Sequence, residues 1–288
     1  MGETVNIESM SQLSANIRIE TIKMLENAGF GHIGGAMSIA DVLGVLYGGV
    51  MNINPRNPQW EDRDWLVLSK GHCGPALYAA LCLKGYFNRD MLKTLNQPGT
   101  KLPSHCDRLK TPGIDMTTGS LGQGISSAAG IALGNKLKGK QSYTYCILGD
   151  GELQEGQVWE GAEAAAHLRL SHLIVFVDEN KKQLDGKVED ICTPFDTAEK
   201  FRSFGWHAQR VAGYDARGIY GGIQNAKQDN ERPSVIILDT LKGLGCNFAE
   251  KAEFNHYMVV DKEMAESAVD EINRRVENGT YPRGDVRW

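Results

Sequence analysis

"SYTYCILGDGELQEG", residues 142–156, decides how the chain is read. An apolar, β-favouring run arrives at Gly149-Asp150-Gly151, and a helix-like stretch, "EGQVWEGAEAAAHLRL", starts soon after. The next segment, "HLIVFVDEN" (172–180), is again almost continuously apolar and ends in polar residues. The alternation continues through "TAEKFRSFG", "WHAQRVAG", "DARGIYGGIQNAKQ" and "PSVIILDT", and closes on the polar-faced helix "DKEMAESAVDEINRRVEN". Strands that alternate with helices and are apolar throughout predict a parallel sheet buried on both faces. The expected fold class is therefore α/β, a doubly wound, mostly parallel sheet with helices on both faces.

Upstream, Ile7, Met10, Leu13, Ile17, Ile22 and Leu25 recur at helical spacing, and Gly29 can end that helix. "SIADVLGVLYGGVM" reads as a second helix with Ser38 as N-cap. "DWLVLS" reads as a strand, and "GPALYAALCLKGY" and "GQGISSAAGIALGNKLK" as helices. Residues 96–118 form a long loop with three prolines, of the kind that often carries function. With no internal boundary or repeat, residues 1–288 are expected to form one domain. Residues 279–288 are expected to form a C-terminal extension docked through Trp288.

Lysine and arginine number 31 against 36 aspartates and glutamates, a net charge of −5, so no basic surface points to nucleic acid. No apolar run approaches the roughly 20 residues that span a bilayer. The first residues lack the basic and apolar regions of a signal peptide. Asn6 stands where a myristoylation pattern needs Ser or Thr. The six cysteines form no C-x-x-C pair, which suits a reduced, cytoplasmic protein.

Ligands of open parallel sheets bind beyond the carboxyl ends of the strands. Asp150 and Asn180 close two successive strands, and a carboxylate beside an amide oxygen suits Mg²⁺ or Ca²⁺. An aspartate between glycines also serves as a turn residue, and Asn180 as a turn cap. "TTGSLGQGISSAAG" (117–130) sets glycines before a helix whose N-terminus can receive an anion, although it matches neither a Rossmann fingerprint nor a P-loop. His32, His72 and His105 each sit among small residues near a turn, and His256 lies in "EFNHY". Each alone suits a structural or surface role; together they could contact hydroxyls and move protons near neutral pH.

GDG followed after just under 30 residues by Asn resembles the thiamine diphosphate motif. Together with "GFGHIGGAMSIAD", "LSKGHCGPALYAAL", "TTGSLGQGISSAAGIALG" and "VDENKKQLDG", in that family's order from about residue 10 to 260, the chain resembles transketolase. The resemblance implies the diphosphate-binding (PP) domain of the thiamin diphosphate-binding fold. It implies the N-terminal subunit of a split transketolase, with the pyrimidine-binding domain on a separate C-terminal subunit. Self-pairing of this chain would then give a two-plus-two heterotetramer.

Carried over residue by residue, Asp150, Asn180 and the carbonyl of Lys182 would bind the divalent cation. Gly151 would meet the diphosphate, Leu184 the thiazolium, and Gly119 and Leu121 the aminopyrimidine. Glu155 would pair with an acid of the partner. His72 would lie on the diphosphate side, and His32, His105 and His256 would handle substrate hydroxyls. The reaction implied is transfer of a two-carbon ketol unit from a ketose to an aldose, on sugar or sugar-phosphate substrates. A deoxyxylulose-phosphate synthase-like condensation and a non-catalytic cofactor-binding module are the alternatives. Ile33 after His32, Ser120, Cys73 and Lys182 depart from the family's usual residues.

Overall fold

The computed structural model describes residues 6–282. Asn6 caps the first helix, its side chain accepting from Ser9 N at 2.9 Å. Helix α1 (Ile7–Ala28) ends where Gly29 turns left-handed and returns its N–H to Glu26 O. A short strand β1 (Phe30–Gly31) follows, then α2 (Gly34–Ser38), α3 (Ala40–Val45) and a π-helical turn over Leu46–Val50. The single helix expected to begin at Ser38 is thus broken, and Ser38 closes α2 instead of capping a helix. Its hydroxyl is turned to Asp178 Oδ2 (2.7 Å) and Gly35 O (3.1 Å), away from the N–H groups a cap would serve.

The remaining elements are β2 (Trp65–Leu68), α4 (Gly74–Leu83), α5 (Gln123–Leu137), β3 (Thr144–Gly149), α6 (Gly156–His167) and β4 (Leu173–Glu179). After them come α7 (Val188–Ile191), α8 (Thr197–Ser203), β5 (His207–Ala212), α9 (Ala216–Gln228), β6 (Ser234–Asp239), α10 (Asn247–Lys251), β7 (Met258–Val259) and α11 (Lys262–Glu277). Five strands pair in parallel in the order β2-β3-β4-β6-β5.

Side chains alternate across this sheet, as the period of a strand requires. Tyr145, Ile147, Ile174, Phe176, Ile236 and Leu238 face one core, shared with α1, α3, α4 and α9. Cys146, Leu148, Val175, Val177, Val235 and Ile237 face the other, shared with α5, α6 and α8. Both faces are covered, as the doubly wound reading requires. Because register pairs Gly149 with Asp178 and Glu179 with Asp239, the carboxyl ends of β3, β4 and β6 lie side by side.

Outside the sheet, β1 and β7 pair antiparallel, Phe30 opposite Val259 and Gly31 opposite Met258. Trp288 lies outside the described residues. Within them, the tail is tied down through Tyr281, whose hydroxyl meets the buried Arg18 guanidinium. No described helix is long and apolar enough to cross a membrane.

Candidate active site

A cavity of about 360 Å³ opens at the carboxyl ends of β2, β3, β4 and β6. Asp150 stands just past β3 and is 5 % exposed. It takes hydrogen bonds from two backbone donors, Gly151 N (2.8 Å) on Oδ1 and Lys181 N (2.6 Å) on Oδ2. Burial, and then the neighbouring Asp178, push its carboxyl up to about 7. Asn180, just past β4, directs Nδ2 to Asp178 Oδ2 (2.7 Å), and its Oδ1 accepts from Lys182 N (3.2 Å). The carbonyls of Lys182 and Gln183 each receive the Lys242 ammonium at 3.2 Å. Those carbonyls therefore already face a positive charge.

A carboxylate, an amide oxygen and cation-facing carbonyls form an oxygen donor set that fits a hard divalent ion. With so few protein ligands, such an ion completes its shell with phosphate oxygens and water.

Four histidines reach the same cavity from distant parts of the chain. The β1–β7 ribbon brings His32 to His256, with ring centroids 5.1 Å apart. His72 follows β2 and lies 4.6 Å from His256 and 5.5 Å from His32. His105 comes from the long loop, 5.4 Å from His32. The loop is held there by Thr118, whose Oγ1 donates to Leu68 O and whose N donates to Cys106 O. Gly119 is needed beside it: with φ at 149°, a Cβ there would stand 3.0 Å from the His105 ring.

Every one of these imidazoles is pushed toward its neutral form, first by burial. His32 falls to about 4 and His256 to about 3, with Lys242 adding to both. His72 is also lowered well below its usual value, with Lys70 adding, and His105 is lowered by burial. Lys242 itself is brought down to about 8 by burial and then by Lys70. Because an ammonium can only donate, its 3.1 Å contact with His256 Nδ1 makes that nitrogen the acceptor and puts the imidazole proton on Nε2.

Gly151, Leu121, Leu184 and Glu155 also line the cavity, so all twelve residues singled out in the sequence converge there. Leu121 (37 %) and Leu184 (60 %) remain exposed, as does Glu155 just before α6. Three charged residues that the motifs do not mark belong to the site as well. Glu152, 3 % exposed, accepts from Gly122 N (2.9 Å) and Ser69 Oγ on one oxygen and from Gly149 N (3.0 Å) on the other. It ties the GDG turn to the glycine-rich start of α5. Lys70 is buried against Asp178; burial alone would lower its value, but the charge and hydrogen bond of Asp178, with Cys73 and Asp150 adding, together more than offset burial and hold the ammonium protonated. Lys242 follows β6. Each stands two or three residues past the end of an apolar strand, and only its partners in the fold give it meaning. A larger cavity of about 720 Å³ shares Asp150, Asn180, Lys182 and Lys242 but is lined by no histidine.

The sheet and its strand-end cavity define the class first: an α/β domain whose ligand site lies beyond the carboxyl ends of its strands. The chain belongs to the transketolase family, whose model described as "Transketolase, thiamine diphosphate binding domain" matches residues 9–269. Over 258 residues it is 49 % identical to the 6-deoxy-6-sulfo-D-fructose transketolase subunit of Clostridium sp. (strain MSTE9), covering 90 % of this chain and 94 % of that one. Over 273 residues it is 33 % identical to one of the subunits of the apulose-4-phosphate transketolase of Phocaeicola vulgatus, covering 95 % and 97 %. The crystal structure of transketolase from Campylobacter jejuni superposes with a TM-score of 0.87 at 28 % identity, covering 93 % of this chain but 43 % of that one.

Proposed function

We propose that this chain is the thiamine diphosphate- and metal-binding subunit of a two-chain transketolase, working with a separate subunit that carries the pyrimidine-binding domain. The convergence of Asp150, Asn180, the Lys182 carbonyl and four histidines on one cavity carries the reading. In it, Asp150, Asn180 and Lys182 O hold Mg²⁺ or Ca²⁺, and Lys70, His72 and Lys242 face the diphosphate. Gly151 N–H, now given to Asp150 Oδ1, would be a backbone donor to that anion. Gly119 and Leu121 flank the aminopyrimidine, Leu184 the thiazolium, and Glu155 meets an acid of the partner. When bound, thiamine diphosphate supplies the carbon nucleophile and electron sink for cleaving a ketose beside its carbonyl.

The chain's own residues orient and exchange protons. Neutral imidazoles can both accept a proton from a substrate hydroxyl and return one. The low values of His32 and His256 keep them neutral at physiological pH. A ketose with a terminal anionic group is the substrate class, since relatives of this length are named for a sulfofructose and a sugar phosphate. The 49 % identity to the former makes 6-deoxy-6-sulfo-D-fructose the first donor to assay. Unpaired thiols at all six cysteines agree with a reduced, cytoplasmic setting.

The test mixes this chain with its partner subunit, thiamine diphosphate, Mg²⁺, a ketose donor and an aldose acceptor. Ketol transfer is expected from the mixture and from neither chain alone. Full activity from this chain alone would remove the two-chain reading. Release of CO₂ from pyruvate plus an aldehyde would favour the synthase-like condensation, and cofactor binding without turnover would leave a binding module.

A further inference from the structure

Asp178 lies two residues before Asn180, on the face of β4 that also carries Ile174 and Phe176. It therefore points away from solvent, toward α2 and the end of β2, and is 0 % exposed. Three donors converge on its Oδ2: Ser38 Oγ (2.7 Å), Asn180 Nδ2 (2.7 Å) and the Lys70 ammonium. Its Oδ1, equally buried, has no partner. A buried carboxylate normally spreads its donors over both oxygens, because leaving one bare costs free energy. Here the crowding on one oxygen has a definite result. A primary amide has two ends of nearly the same shape, one that only accepts and one that only donates. Asp178 accepts only, so it claims the donating end of Asn180. The oxygen is left as the free end, in a loose 3.2 Å contact with Lys182 N.

We infer that Asp178 is the positioning residue of the cation site: it holds the Asn180 amide so that oxygen, and not nitrogen, is presented to a divalent ion. The inference rests on the metal and cofactor reading above. It assigns Asp178 no contact with substrate or cofactor. Outer partners of this kind orient metal ligands, and losing one typically lowers metal affinity about 10–100-fold.

Orientation and charge make different predictions because all three bonds use one oxygen. An asparagine at 178 can put its carbonyl where Oδ2 stands and keep those bonds, while losing the charge. The experiment measures Mn²⁺-dependent binding of thiamine diphosphate by calorimetry, and Mn²⁺ binding alone by its paramagnetic resonance signal. It uses the full chain assembled with its partner chain, and thermal midpoints are followed in parallel. Asp178→Ala should weaken Mn²⁺ binding about tenfold or more, whereas Asp178→Asn should stay within about fivefold of wild type.

Equal affinity in Asp178→Ala and wild type would overturn the inference. So would an Asp178→Asn loss as large as that of Asp178→Ala, which would make charge and not orientation the cause. If stranding Lys70 prevents the Asp178→Ala chain from folding, K70M/D178A compared with K70M carries the same prediction. Wild type that binds cofactor without any metal dependence would overturn the metal reading itself, and this inference with it.

Discussion

His256 sits between a lysine ammonium and two other imidazoles, and in the folded chain burial, with Lys242 adding, lowers its value to about 3 from an ordinary 6.5. Between those limits the unfolded chain binds a proton that the folded chain refuses. This contribution to stability is intact above about pH 6.5 and is lost as pH falls toward 3. Asp150 works in the opposite sense. Its carboxyl, raised to about 7, keeps a proton in the fold that the unfolded chain has released, so it favours the fold as pH falls over an overlapping range. His32, His72 and His105, lowered as well, act in the same sense as His256, so the total slope is a balance of several groups and a variant is needed to isolate one. His256→Asn leaves Lys242 an oxygen to donate to and removes the titration. Its thermal midpoint, measured without ligands from pH 7.5 to 4.5, should fall less steeply than that of wild type; parallel curves would mean that His256 titrates normally. In the assembled enzyme, His105→Ala should lower kcat while leaving thiamine diphosphate affinity unchanged, and equal loss of both would contradict a substrate role. The histidines were legible only as a set: each alone suits a structural or surface role, but His32, His72 and His105 all stand among small residues near turns, and His256 joins them. Lys70 was not, because what explains it is Asp178, 108 positions away. A charge at the end of a buried strand gains its meaning only when the neighbouring strand is in place.

At the scale of elements, local pattern foretold most of the molecule, and it failed where two helices meet closely. The strands and longer helices follow from periods of 2 and 3.6, which side-chain burial enforces. The break between α2 and α3 does not, because it is set by contacts from elsewhere: Asn255 O receives Gly34 N (2.9 Å), and Asp178 receives Ser38. The crossing of α1 and α3 is likewise non-local. It is close because Gly44 has no side chain; a Cβ there would collide with Ser14 Oγ and lie 2.8 Å from Met10 O. Gly44→Ala should therefore cost about 1–3 kcal/mol by overpacking, measured by urea unfolding. Ser14→Ala in the same chain should recover only part of the loss, since the Met10 carbonyl is backbone and stays in the way. Full recovery would show that the side chain alone sets the distance.

At the scale of the whole molecule, one buried guanidinium joins parts of the chain that sequence separates most. Arg18, 0 % exposed in the middle of α1, grips Asp41 of α3 through two nitrogens at 3.1 and 2.6 Å. Its other hydrogens go to Met37 O of α2 (3.1 Å), to Leu244 O (2.8 Å), and to the Tyr281 hydroxyl of the tail. Leu244 is two residues past Lys242, and Met37 belongs to the helix that follows His32, so the same side chain underlies both walls of the cavity. A buried pair such as Arg18–Asp41 adds little net stability over an apolar pair, but halving it strands a charge. Arg18→Met should therefore lower stability by about 3–5 kcal/mol, and Arg18→Met/Asp41→Leu should lose distinctly less, because no carboxylate is left alone in the core. Tyr281→Phe removes a single hydroxyl and should cost about 1 kcal/mol. Hydrogen exchange gives the spatial readout. In Arg18→Met, protection should drop at residues 34–38 and 241–246 while β3 and β4 keep theirs, since those strands are held by the sheet and both cores. Uniform loss across the sheet would mean that Arg18 supports the fold as a whole and not the walls of the cavity.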